Sequence, residues 1–357
     1  MGDKNNMARK KKIWFWAGGT IVLLLIAFQV VSHRYAEEEK ELRNRLRETI
    51  IEKFPEQAEQ YSHTIGLFSL SDIGDKADSG GRSKHSTVLI HGLDDPGKVW
   101  QTLAPTLVEE GFDIWLMNYP NDQPIAESTQ LFLEELKKLR ALGITKINIV
   151  AHSMGGLVTR EMLTNPEMNY GSLAEREKVP KVEKFIMVGT PNHGSQMVRF
   201  RIFGEIRDHM DRLVKGQSNS LAFILDGAGE AKIDLLPGSM FLTELNSRPH
   251  PEIMEMLVVA GVTTPWSEED INRWRDSISQ MVGPDHLSEI NSVSNSLLSM
   301  SHGLGDGLVT VESTRLPGIP HVTVNGTHLT MIRNISEDSK RTPPAVPIIV
   351  ERLKQKI

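Results

Sequence analysis

From Thr87 onward the chain alternates short apolar runs with longer segments whose apolar residues recur every three or four positions. Thr87-Val88-Leu89-Ile90 reads as a strand. Val99 to Glu110 reads as a helix, with Pro96 near its start. Phe112 to Met117 is a second strand. Ile125 to Leu142 is a long helix whose Leu131, Leu136 and Leu139 face inward. Lys146 to Val150 is the third strand, and a helix follows through Leu157 to Leu163. Val182 to Val188, Met256 to Ala260 and His321 to Val324 complete the strands. Continuous apolar strands alternating with amphipathic helices predict an α/β class: a mostly parallel central sheet with helices on both faces. In such sheets, sites form at the C-terminal ends of the strands.

Two stretches interrupt the alternation. Residues 195–251 follow the fourth strand and residues 263–305 follow the fifth. Both read as cap or lid insertions over the C-terminal face. In the first, Phe200, Ile202, Phe203, Leu221 and Phe223 through Leu225 supply apolar surface for an acyl groove, or a small core beneath the cap.

The N-terminus follows a different rule. Ile13 to Val31 holds no charge, and Lys10-Lys11-Lys12 precedes it. Such a run of about 20 residues is long enough to cross a bilayer, and Trp14 and Trp16 fall where an interfacial aromatic belt would lie. The pattern predicts a transmembrane signal anchor at 13–31 behind a cytoplasmic tail at 1–12. The competing reading is a cleaved signal peptide. The run is long for one, and no small-x-small cleavage site closes it. Basic residues stand on both sides of the run, and their density favours a cytoplasmic N-terminus with the main domain extracytoplasmic, in a periplasm if the cell is bacterial. Residues 32–84 then read as a stalk helix and linker, with a solvated linker throughout as the competing reading. Leu42, Leu46 and Ile50 form one apolar stripe, and residues 71–86 form a Gly-, Asp- and Ser-rich loop. The remaining 85–357 form the main domain.

Composition narrows the chemistry. The 357 residues are 39% hydrophobic and 24% charged, with net charge −6. No long basic patch suggests a nucleic-acid partner. The absence of cysteine excludes disulfides, thiolate metal sites and cysteine nucleophiles.

What remains is a serine. The strand Ile147-Asn148-Ile149-Val150 runs into Ala151-His152-Ser153-Met154-Gly155-Gly156 and then a helix. Small residues two before and two after Ser153 allow a strand-to-helix turn tight enough to project its hydroxyl. A serine hydroxyl needs a base, and the base needs a carboxylate to orient it. For this layout the chain order is serine, acid, histidine. Asp306, in Gly303-Leu304-Gly305-Asp306-Gly307, is the candidate acid; Asp270, Asp276 and Asp285 are weaker rivals in helical or polar contexts. His328, just after the last strand, is the candidate base. His321 begins that strand at its opposite end, and His302 reads as part of the loop before Asp306. His152 reads as a packing or supporting group. A tetrahedral intermediate needs donors for its oxyanion. The Met154 N–H supplies one, and the Leu93 N–H, in His91-Gly92-Leu93 after the first strand, supplies the other.

These residues resemble the α/β-hydrolase superfamily and, within it, the bacterial lipases and esterases. The resemblance runs through residues 85 to 335 and adds Gly189-Thr190-Pro191-Asn192-His193-Gly194-Ser195, Leu236-Pro237-Gly238-Ser239 and Asn325-Gly326-Thr327-His328 to the motifs above. It is similar also to deacylases of lipid-linked inositol. The resemblance implies an α/β-hydrolase fold and a carboxylic-ester hydrolase working through an acyl-enzyme. Many secreted lipases of this kind carry, two residues after the histidine, an aspartate that helps to bind structural calcium; here that position is Thr330. No metal or cofactor is therefore expected. The expected partners are a lipid or other ester and, through the N-terminal run, the bilayer. An acyltransferase or thioesterase on the same three residues competes with hydrolysis, and an inactive membrane-tethered binding module is the remaining alternative.

Overall fold

Six parallel strands and one antiparallel edge strand make up the central sheet. The computed structural model describes residues 65–70, 83–93, 97–120, 123–195, 231, 234–251, 254–264, 268–282, 287–336 and 339–355. All fall in one compact unit, Thr64–Ile357. The membrane span, the stalk helix and the apolar groove residues expected at 200–225 lie outside the described residues, as does Asp285.

The strands are β1 (Gly66–Ser69), β2 (His85–Ile90), β3 (Ile114–Asn118), β4 (Lys146–His152), β5 (Lys181–Val188), β6 (Glu255–Val262) and β7 (His321–Asn325). They lie in the order β1-β3-β2-β4-β5-β6-β7. The chain enters the parallel array at β2, steps outward to β3, then returns to β4 on the other side of β2. The C-terminal ends of β2 and β4 therefore adjoin, with Ile90 opposite Ala151. Loops leaving two such strands diverge to opposite faces and open a crevice between them.

Alternate strand residues feed two cores, since successive side chains point to opposite faces. Val88, Ile149, Phe185 and Val258 pack with α2 (Ile125–Ala141), α3 (Met154–Thr164) and α5 (Met240–Ser247). Leu89, Val150, Ile186 and Val259 pack on the other face with α1 (Leu103–Glu109) and the last helix, α9 (Ala345–Lys354). In α2, Leu136 and Leu139 are buried, and Leu131 packs against the same core half-buried. Between α3 and β5 lies α4 (Tyr170–Glu175).

Three features differ from the sequence reading. First, β1 lies within the stretch read as stalk and linker. It pairs antiparallel with β3, and the outward Leu67 N–H donates to the Glu135 carboxylate of α2 at 3.1 Å. A buried acceptor thus covers part of the edge strand's open backbone. Second, the helix expected over Val99–Glu110 is a 3-10 turn, Lys98–Trp100, followed by α1. Pro105 explains the restart: it has no N–H, so it is accommodated at the third position of a helix, where no intrahelical acceptor is available. Third, His302 lies in a helix rather than a loop.

The insertion at 263–305 contains α6 (Glu268–Val282) and α7 (Leu287–Leu304). Its two ends meet, because the Thr263 N–H donates to the Gly305 carbonyl at 2.7 Å. After it come α8 (Val311–Thr314) and β7. Among the described residues no helix is long and apolar enough to cross a membrane.

One buried lysine ties the ends of two elements together. Lys184 of β5 donates its ammonium to the carbonyls of Arg352 at 2.9 Å, of Leu353 at 3.3 Å and of Gln355. These are C-terminal carbonyls of α9 that lack intrahelical donors, at the end where the helix dipole favours a cation. Burial lowers the Lys184 pKa. Lys184→Met is expected to cost about 1–3 kcal/mol of unfolding free energy. Urea titration checks it, and an unchanged midpoint would refute the assigned role.

Two histidines, one buried and one half-buried, sit in surroundings that oppose their charging. Burial, followed by His328, pushes the pKa of His152 well below its ordinary value. Burial, with Arg315 and His302 adding to it, takes His321 down to about 4. In the unfolded chain both take up a proton near pH 6.5. The native state binds fewer protons below that point, so this contribution to stability is complete above about pH 6.5 and is lost as the pH falls. The slope is up to about 1.4 kcal/mol per pH unit for His152, and less for the part-exposed His321. Urea midpoints at pH 7.5 and 5.5 should differ in that direction; a midpoint that holds or rises on acidification contradicts it.

Candidate active site

Ser153 sits between β4 and α3 with φ 54° and ψ −127°. A non-glycine residue at positive φ is uncommon, and this one is held by its surroundings. The Ser153 N–H donates to the Val188 carbonyl of β5 at 2.9 Å, and the Gly156 N–H returns to the Ser153 carbonyl at 3.0 Å. The end of β2 passes directly over the turn: a Cβ on Gly155 would lie 2.5 Å from the His91 carbonyl oxygen. Only glycine fits there. Ala151, where glycine is more usual, buries its methyl in the core beside α2 and α3.

Asp306 and His328 come together from opposite sides of β7. Asp306 follows α7 in a turn with Gly305 at φ 54° and Gly307 at φ 89°. Its Oδ1 accepts the N–H groups of Leu308 at 2.9 Å and Val309 at 2.8 Å. That leaves Oδ2 for the His328 Nδ1, at 2.7 Å. A carboxylate oxygen beside neutral imidazole only accepts, so Nδ1 carries the proton and Nε2 is free to act as a base. The backbone repeats the link, since the His328 N–H donates to the Asp306 carbonyl at 2.9 Å. Both side chains are buried. Among the described residues no hydrogen bond joins the Ser153 hydroxyl to the His328 ring. Such bonds are often long without substrate and tighten when it binds.

His152 supports this pair. Its Nε2 lies 2.9 Å from the His328 carbonyl oxygen, which can only accept, so Nε2 donates. The two rings are 4.6 Å apart, and the Trp100 ring meets His152 edge-on. The supporting role read for His152 thus has a concrete form: it grips the backbone of the candidate base.

The remaining candidates fall as follows. Met154 opens α3, so its N–H has no intrahelical acceptor. Leu93 lies three residues beyond the end of β2. His321 stands at the start of β7, where its Nε2 meets the Thr314 hydroxyl at 2.8 Å. Asp270 and Asp276 lie on α6 and pair with Arg273 and Arg275. The Thr330 hydroxyl accepts the Thr327 N–H at 2.8 Å, closing the turn that carries His328. Among the described residues no group of three or more histidine or acidic side chains could hold a metal ion.

Sequence reasoning passed over two supports. Arg160 of α3 is buried, and its guanidinium donates to Asn192 Oδ1 at 3.0 Å and Asn246 Oδ1 at 2.9 Å. Asn192 in turn donates to the Thr314 carbonyl at 2.7 Å. Burial, then the nearby Arg248, lowers the Arg160 pKa to about 10. This network anchors the loop through Gly189–Ser195 to the helix behind Ser153. The other support is Tyr119, just past β3, whose hydroxyl donates to the His91 carbonyl at 2.6 Å. Its signal in the sequence is positional: β3 pairs with β2, so residues just past their C-terminal ends are neighbours.

The structure thus places a serine turn ahead of a helix N-terminus, and the residue before that serine holds the backbone of a histidine whose Nδ1 is fixed by a carboxylate.

A family model described as the alpha/beta hydrolase fold matches residues 88–203. Two curated relatives, triacylglycerol lipases from Pseudarthrobacter phenanthrenivorans and Burkholderia plantarii, are each 27% identical over 134 residues, 35% of this chain. The match takes in 38% and 34% of those relatives, so the chain spans about a third of the length of each. Among solved structures, the mature lipase BlEst2 of Bacillus licheniformis is similar over 80% of this chain and 97% of its own, at 18% identity and a TM-score of 0.48. The phospholipase PlaB of Legionella pneumophila is similar over 77% of this chain and 60% of its own, at 16% identity and a TM-score of 0.49. Residues 88–203, which hold the serine turn after β4 and the centre of the parallel sheet, are thus similar to the α/β-hydrolase fold.

Proposed function

We propose that this protein hydrolyses carboxylic esters, lipid esters foremost, through an acyl-enzyme on Ser153. His328 takes the Ser153 proton as the hydroxyl attacks the ester carbonyl. Asp306 keeps the imidazole in its Nδ1–H tautomer and stabilises the cation that forms. The N–H groups of Met154 and Leu93 receive the oxyanion. His328 then protonates the departing alcohol, and the same nitrogen activates the water that releases the acid.

The observation that carries this reading is the 2.7 Å Asp306–His328 pair beside a serine held at positive φ ahead of a helix N-terminus. The curated relatives named triacylglycerol lipase support an ester of lipid type. The uncharged run Ile13–Val31 supports a single-pass anchor with a cytoplasmic N-terminus and an extracytoplasmic catalytic domain. An anchored enzyme meets lipid esters at the bilayer surface where they reside.

The test uses the full chain in detergent with p-nitrophenyl esters of short and long acids, with and without added alcohol. A fluorophosphonate should label wild type on Ser153. Ser153→Ala and His328→Ala should each lower kcat by about 10³-fold or more with the fold retained, and Asp306→Asn by about 10²- to 10⁴-fold. Absence of both labelling and turnover would sink the enzyme reading. Acyl product appearing on the alcohol in preference to water would redirect it to a transferase.

For the anchor, the full chain should stay with membranes through alkaline carbonate extraction. Its release into the wash would refute a spanning segment.

A further inference from the structure

The candidate oxyanion donor on Leu93 lies in a loop that must contain glycine. A Cβ on Gly92 would come 2.6 Å from the Ser153 Cβ and 3.1 Å from the His152 carbonyl oxygen. The close approach of the two loops therefore demands glycine. Glycine, however, is the residue whose φ and ψ are least restricted. Left to itself it would let the next N–H swing away from the serine. Something outside the residue has to fix it.

Two hydrogen bonds do so, one on each peptide plane flanking Gly92. The first plane carries the His91 carbonyl, which accepts the Tyr119 hydroxyl at 2.6 Å. The second carries the Gly92 carbonyl, which lies 2.8 Å from the His91 Nδ1. A carbonyl only accepts, so Nδ1 carries the proton. This second plane also contains the Leu93 N–H, because the C=O and N–H of one trans peptide are coplanar and point opposite ways. Holding the Gly92 oxygen thus aims the Leu93 N–H.

The imidazole that does the holding is itself held. It stacks on the Tyr119 ring at 4.6 Å and 20°. Both Tyr119 and His91 are buried. Burial raises the Tyr119 pKa, so the phenol keeps its proton and remains a donor.

We propose that Tyr119 is the positioning residue of the oxyanion site: its hydroxyl and its ring, acting through His91, fix both peptide planes around Gly92 and so direct the Leu93 N–H at the reacting carbonyl. The proposal rests on the reading of Ser153 as nucleophile. Tyr119 touches no substrate in this account. Its effect falls on the transition state, where the oxyanion forms, and not on ground-state binding.

The experiment compares Tyr119→Phe with Tyr170→Phe in the full-length protein. Tyr170 is a suitable control. Its buried hydroxyl donates to the Pro180 carbonyl at 2.9 Å and accepts the Val182 N–H at 2.8 Å, away from the site. Tyr119→Phe should lower kcat by about 5- to 50-fold, short of the loss from deleting an oxyanion donor outright, with KM within about 2-fold. Tyr170→Phe should lose stability but keep kcat within about 2-fold. Should Tyr119→Phe fail to fold, the His91 pair decides. His91→Asn, which can present an amide N–H near the Nδ1 position, should retain most of kcat, and His91→Leu should not. Wild-type kcat in Tyr119→Phe, an equal kcat loss in Tyr170→Phe, or equal activity of the two His91 variants would overturn the proposal. Failure of a fluorophosphonate to label the wild-type serine would remove the underlying nucleophile reading instead, a result that none of the tyrosine or histidine variants can mimic.

Discussion

The parallel pairing of β2 with β4 is the constraint on which the rest depends. It sets Ile90 beside Ala151 and delivers the two loops that follow to one point. At that point there is no room for side chains on the near sides: Gly92 faces the Ser153 Cβ, and Gly155 faces the His91 carbonyl. The strand register thus becomes a tight backbone-to-backbone contact, and that contact holds Ser153 in a conformation it would not adopt alone. Such a residue costs of order 1–3 kcal/mol and persists only where its surroundings over-determine it. Here the surroundings are the Val188 carbonyl of β5, the first turn of α3 and the end of β2.

A second layer of order comes from buried polar groups, each facing a partner supplied by a distant part of the chain. Asp306 meets His328, His152 meets the backbone of His328, and Arg160 meets Asn192 and Asn246. Removing a polar group from water costs free energy unless a partner replaces it. Each of these pairs is therefore selective for one arrangement of loops. The apolar cores specify the sheet and its helices, and the polar pairs specify how the loops at its C-terminal ends are set.

Much of this was legible in the chain because local signals and tertiary roles coincide. The apolar run before Ser153 needs burial on both faces, and the small residues around the serine are required by the turn itself. Gly305-Asp306-Gly307 announces a sharp bend around one carboxylate, and His328 follows the last strand. β1 was not legible. Its four residues, Gly66 to Ser69, are too short to show a period, and the strand exists because β3 and Glu135 accept it. The burial of Arg160 was equally hidden, since a charged residue in a helix reads as solvent-facing until its two asparagine partners are placed. Tyr119 and His91 escaped for a related reason. Their roles reside in which carbonyl each side chain meets, and that depends on strand order, which no single segment encodes. The break between Trp100 and Leu103 had a visible cause in Pro105, but the periodicity of Val99–Glu110 masked it.

The hydrogen bond between Thr263 and Gly305 has an evolutionary consequence. It pins together the departure and return of the excursion over residues 264–304, one residue before the carboxylate that holds His328. Seen from the sheet, that excursion is a cassette plugged into a fixed socket. Loop-closure entropy grows slowly with length, by about 0.6 kcal/mol for each doubling. Helices in such a cassette can lengthen, shrink or be exchanged while Asp306 stays in register with His328. Change within the excursion is thereby uncoupled from the Asp306–His328 pair.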